Sequence, residues 1–141
     1  MNDSKEEFKK KIRAEMAADF SNSLEKNFSL AKQFIRVTND GLVDVLVKDK
    51  VNGPEKIQLY LIGKKYAKQG EFTTSDEVGN KELMERLGIP EGSLMPWLSE
   101  LRDKNKITQL MQGRNAYHSI PVNLIEVTLK AVEKKVQKEK A

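Results

Sequence analysis

Between Gly53 and Pro121 the chain alternates apolar-periodic runs with residues that cannot continue them, and this punctuation limits the folds open to it more than any other feature. Gly53 can cap a helix, and Pro54 suits a first helical position, where a missing N–H is harmless. A helix is expected from Pro54 to about Gln69, ended by Gly70 as a left-handed terminator. Its middle, Ile57 to Ile62, is apolar nearly all round, which marks a central, buried helix. Gly63 lowers helix stability by roughly 1 kcal/mol relative to alanine, and its expected use is the close approach of a neighbour. Glu71 to Thr74 reads as a short strand. Asn80 then caps a helix from Lys81 to Leu87, with Leu83, Met84 and Leu87 inward, and Gly88 ends it. After the turn Ile89-Pro90-Glu91-Gly92, a third helix is expected from about Ser93 to Lys104, burying Leu94, Leu98 and Leu101 and closing at a left-handed Asn105. Two strands, 107–111 and 116–120, joined through Gln112-Gly113-Arg114-Asn115, complete the segment before Pro121 breaks the ladder.

The flanks are periodic too. Residues 5–33 read as helix, with Phe8, Ile12, Met16, Phe20, Leu24 and Phe28 in one apolar row and Ser21-Asn22-Ser23 as a candidate break. Residues 34–38 and 42–47 read as a hairpin around Asn39-Asp40-Gly41; the second strand is too apolar for an exposed ribbon and belongs against a helix. Val122, Ile125, Leu129, Val132 and Val136 form a short heptad seam, and the Lys/Glu-rich tail from Lys134 onward is expected to fray. The chain thus divides into a helix-and-hairpin extension (1–52), a central domain (53–121) and a terminal helix (122–141).

Composition narrows the function. The 141 residues are 38% hydrophobic, enough for a core, and 33% charged. With no cysteine, neither a disulfide framework nor a thiolate metal site can form. No apolar run reaches membrane-span length and the N-terminus lacks a signal-like apolar stretch, so a cytoplasmic protein is expected. The net charge of +4 is spread over the chain; it permits nucleic-acid binding without arguing for it. No phosphate-cradling glycine loop, histidine-based triad or acid/base dyad appears, so no enzyme, cofactor or metal is expected.

The run from Asn80 through Gly88-Ile89-Pro90 to Ile107 resembles the helix-turn-helix and first wing strand of MarR-type and ArsR-type transcriptional regulators, and the resemblance as a whole covers about 70 residues of the 53–121 segment. The resemblance implies an α+β winged helix-turn-helix, extended by the N-terminal helix and hairpin and by the C-terminal helix. It implies a non-enzymatic DNA-binding protein whose third helix enters the major groove and whose wing lies along the backbone or minor groove. Carried over by position, base-facing residues would be Glu91, Gly92, Ser93, Met95, Pro96 and Ser99. This departs from the family pattern: none is basic, and none is an Arg, Gln or Asn that pairs bidentately with a base. Ser93 and Ser99 would bond bases or phosphates and Met95 would touch a thymine methyl. Arg102, Lys104 and Lys106 would meet phosphates, Arg114 and Asn115 are the wing contacts, and Lys81 and Arg86 would reach the backbone from the preceding helix. The departure keeps a second class open, a winged helix that binds protein with Trp97 or Met95 as anchor. A small-molecule sensor is a third class that no residue singles out.

Single residues carry smaller expectations. Pro96 is tolerated in a first helical turn, which puts the helix start at or after Gly92. Trp97 is read as core beside the leucine face, with a partner anchor as the alternative. His118, the one histidine, is read as a strand-surface residue of the wing, with phosphate contact as the alternative. Tyr117 is placed under the wing, and Tyr60 and Tyr66 in the core. The terminal seam and the N-terminal row either pack on each other or form a homodimer interface.

Overall fold

The computed structural model describes residues 2–15 and 22–140. The core is arranged around helix α4 (Gly53–Gln69), which starts with a capping box. The Asn52 side chain accepts from the Glu55 N–H at 2.9 Å, and the Glu55 carboxylate accepts from the Asn52 N–H at 2.8 Å. A cap of this kind contributes about 1 kcal/mol. Asn52, not Gly53, is therefore the cap; Gly53 is the first helical residue, and its missing side chain makes room for the Trp97 indole, which a Cβ would meet at 2.2 Å. Ile57, Leu59, Tyr60, Leu61 and Ile62 are fully buried, as an apolar run covering every face of a helix requires. The helix stops at Gly70 without a left-handed glycine: Gly70 has φ −82°, and Glu71 takes the positive φ of 64°.

One wall around α4 comes from the N-terminal part. After α1 (Asn2–Glu15), the short helices α2 (Ser23–Lys26) and α3 (Phe28–Ala31) lead into strands β1 (Ile35–Val37) and β2 (Val43–Val45). The strands pair antiparallel, Ile35 with Val45 and Val37 with Val43, around a turn whose Gly41 has φ 79°. Phe34, Ile35, Val43 and Val45 face α4, which fulfils the expectation that this ribbon lies on a helix. The contact explains Gly63, where a Cβ would stand 2.4 Å from a Val43 methyl and 2.8 Å from one of Ile35. Gly63→Ala is expected to destabilise the protein by about 1–2 kcal/mol, overpacking exceeding the gain in helix propensity; a urea midpoint equal to or above wild type refutes this.

The opposite walls are β3 (Val78–Gly79), α5 (Asn80–Leu87), α6 (Glu91–Asp103), the hairpin of β4 (Thr108–Gln112) and β5 (Asn115–Ser119), and α7 (Ile125–Lys140). The second sheet runs β3-β5-β4, all antiparallel. The chain is thus α+β, with two small antiparallel sheets. The expected strand at 71–74 is absent: that stretch is turn and coil, and the strand lies at Val78–Gly79, where β5 supplies a partner. Gly88 at φ 66° and Asn105 at φ 57° end α5 and α6 as the sequence implied.

A single apolar cluster crosses all three sequence segments, from Ala31 through α4 to Val136. The seam residues Ile125, Leu129, Val132 and Val136 are buried in it, with α7 against α4 and α2. The seam is therefore internal, and a homodimer through it would have to open the core. In the N-terminal row Leu24 is half-buried, Phe8, Ile12 and Phe28 are exposed, and Met16 and Phe20 lie outside the described residues. The tail expected to fray from Lys134 continues as helix to Lys140.

Candidate functional site

Leu94, Leu98 and Leu101, at positions i, i+4 and i+7, fasten α6 to the body and are 0–2% exposed. Trp97, one turn from Leu94, is wedged on Gly53 and completes the attachment to α4. That packing is the core role, though Trp97 stays half-buried rather than enclosed. The other side of α6 turns outward: Glu91, Gly92, Met95, Pro96, Glu100 and Asp103 are exposed, with Ser93 and Ser99 half-buried beside them. The helix begins at Glu91, earlier than Pro96 suggested, so Pro96 is its sixth residue and lies beyond the first turn. The carbonyl of Gly92, which Pro96 cannot bond, belongs to an exposed residue.

The hairpin β4–β5 stands beyond this helix. All five residues of β4 are exposed, including Leu110 and Met111. Its turn has two central residues, Gly113 at φ 64° and then Arg114, as a type II′ turn requires, which holds Arg114 and Asn115 in the open. Cross-strand register puts Gln109 and Met111 on the face of His118, and Leu110 on the face of Tyr117.

His118 is the residue the sequence misplaced. It is fully buried, and its Nε2 lies 2.6 Å from Asn80 Oδ1 at the start of α5. Asn80 does not cap α5, whose N-cap is Gly79; its side chain fastens β5, and its Nδ2 donates to Met95 Sδ at 3.6 Å. With Nε2–H donating to Asn80, the bare Nδ1 is buried without a partner. Burial, and secondarily the nearby Arg102 charge, push His118 down to about 4. The contact locks the hairpin to the first turn of α5 and, through Met95, to α6. Nothing local in the sequence announces it, because the partners are 38 residues apart.

The basic candidates divide. Arg114 and Lys106 are exposed, and Arg102 is half-buried near His118. Lys81 is largely exposed and 4.0 Å from Glu85. Lys104 is paired with Glu100 at 2.7 Å, and this bond holds the Glu100 carboxyl below its usual range. Arg86 leaves the group: its guanidinium donates to Asp44 at 2.7 Å and to the Val43 carbonyl at 3.4 Å, which ties α5 to the first hairpin. Among the described residues no cluster of acidic groups and histidine is arranged to hold a metal, and no helix is long and apolar enough to cross a membrane. Comparison with family models, with curated proteins and with solved structures produced no match.

Proposed function

We propose that this chain is a winged-helix DNA-binding protein of the cytoplasm, acting as a transcriptional regulator that holds duplex DNA mainly through phosphates. The observation that carries the reading is the joint exposure of the outward side of α6 and of the Arg114 turn, on elements whose order, α4-β3-α5-α6-β4-β5, is that of a winged helix. Lys81, Arg102, Lys106 and Arg114 are the phosphate contacts, and Ser93, Met95 and Ser99 face the groove. Asn115 shares the wing tip. Arg86 and Lys104, being paired within the protein, are secondary. The acidic Glu91, Glu100 and Asp103 on the same helix make the contact selective in orientation and keep affinity modest. Since the seam of α7 is internal, homodimerisation falls to the exposed Phe8–Ile12 row of α1.

With these four phosphates neutralised, affinity for a generic duplex is expected to drop about 150-fold between about 50 and about 200 mM salt. Arg114→Ala is expected to lower the slope of log K against log salt by about 1. A fluorescence titration checks both. Absence of duplex binding at the lower salt sinks the reading. It would favour the second one, a protein-binding winged helix, which the exposed Met95, Leu110 and Met111 support.

A further inference from the structure

A groove of about 520 Å³ runs between the short helices α2 and α3, strand β1 and the C-terminal end of α4. That volume falls within the range of small-molecule sites, about 300–1,000 Å³. Its walls are largely apolar, formed by Leu24, Phe28, Ile35, Val37, Tyr66 and Phe72. Local structure holds them in place. Tyr66 donates its hydroxyl to the Leu24 carbonyl at 2.6 Å, and its ring centroid lies 6.0 Å from that of Phe28. Left-handed Glu71 folds the chain back after α4, where the Phe72 N–H donates to the Ala67 carbonyl at 2.9 Å. The missing side chain of Gly70 gives the Phe72 ring room; a Cβ there would stand 3.1 Å from it. Phe28 and Phe72 nevertheless stay 50% and 46% exposed, an apolar surface left open by the described residues.

Two cations border this surface. Arg36 Nη1 donates to the carbonyls of Lys32 and Ile35, which leaves the other N–H groups of its guanidinium for a further acceptor. The Lys32 ammonium stands 4.8 Å above the Phe28 ring. Among the described residues neither cation has a carboxylate within ion-pair distance, whereas Lys64, Lys65 and Lys135 all do. Glu25 is the one acidic side chain of the lining, so the groove keeps a net positive charge.

We propose that the groove binds a single-chain aliphatic carboxylate, its alkyl tail among Phe28, Tyr66 and Phe72 and its head on Arg36 and Lys32. The tail gains by leaving water, and the carboxylate accepts from the guanidinium. The apolar row of α1 from a second copy is the poorer occupant by charge. Helix α1 carries five basic side chains against four acidic ones, and brings positive charge to a positive mouth. The groove lies at the other end of α4 from Gly53, where Trp97 of α6 packs, and its occupancy does not depend on whether the chain binds DNA.

The test is calorimetry and aromatic ¹³C NMR on the full chain, titrated separately with hexanoate, octanoate, decanoate, 1-octanol and octylammonium. Expected is saturable octanoate binding that shifts the ring signals of Phe28, Tyr66 and Phe72. Affinity should rise about two- to fourfold per added methylene from hexanoate to decanoate. 1-Octanol should bind more weakly than octanoate, and octylammonium weakest of the three. Arg36→Gln is expected to weaken octanoate binding about three- to fivefold and to leave 1-octanol unchanged. Phe72→Ala, at a half-exposed position outside the core, is expected to weaken both several-fold. No saturable binding of octanoate or decanoate below the micellar range overturns the proposal. So does octylammonium binding as tightly as octanoate, or octanoate binding that both variants retain in full. Ring signals that move with protein concentration alone, while octanoate has no effect, assign the groove to a second copy and likewise overturn it.

Discussion

Between neutral pH and about pH 4.5, the wild-type protein is expected to lose about 2–3 kcal/mol more stability than the His118→Gln variant. Burial and the Arg102 charge lower the His118 pKa from its ordinary 6.5 to about 4. The unfolded chain therefore takes up a proton below pH 6.5 that the fold refuses until about pH 4. Over that window the unfolded state binds more protons, so stability falls as the pH falls. The full difference is roughly 3 kcal/mol, reached below the folded value. The structure gives the reason: a proton on Nδ1 creates a donor in a buried space where that atom has no partner. Glutamine keeps a donor for Asn80 Oδ1 without titrating. Urea midpoints of both proteins across this pH range decide it; parallel curves would show that His118 is not held neutral. Acid should also loosen the hairpin first, read as earlier amide exchange in β5 than in α4.

Lys64→Met is expected to cost about 2–4 kcal/mol. Lys64 is buried on α4, where its ammonium donates to the Gly41 carbonyl at 2.8 Å and pairs with Glu82 at 3.2 Å. Tyr60 donates to the same Glu82 oxygen at 2.5 Å, and burial, reinforced by that carboxylate, raises the phenol's pKa far above its ordinary value. Removing the ammonium strands a carboxylate beside a phenol and leaves the carbonyl of the β1–β2 turn unpaired. Breaking one side of a buried pair costs about 3–5 kcal/mol, and the lower figure applies here because solvent reaches Glu82. Adding Glu82→Gln should recover 1 kcal/mol or more, roughly, by removing the unpaired charge. A double-mutant cycle in urea that shows no coupling would mean the three groups act independently.

Much of this was legible in the residues. Gly88, Asn105 and Gly113 end their elements through backbone angles that few other residues accept, so the chain wrote those boundaries locally. The close approach at Gly63 was legible as a cost without a local return. What escaped depends on partners distant in sequence. Phe72 and Thr73 have strand propensity, yet the strand formed at Val78 because β5 pairs there. Alternation in a hairpin put His118 on a surface, whereas its pairing with β3 and its bond to Asn80 at the start of α5 enclose it. A heptad seam looks the same whether its groove lies in the same chain or in another, and here α4 and α2 supply it. Of the candidate site, the exposure of Arg114, Met95 and Lys106 followed from turn chemistry and helical period. The diversion of Arg86 to Asp44 did not, because it crosses 42 residues.

The burial of Val132 and Val136 against the middle of the chain has a bearing on biosynthesis. During translation α4 leaves the ribosome with its hairpin already made but with the side meant for α7 uncovered. Until α7 has been made and has cleared the exit tunnel, that greasy flank stays open. The fold therefore matures only after α7 has emerged, and truncation shortly before residue 132 should yield a species that aggregates or is degraded, even though α6 and the β4–β5 hairpin are complete.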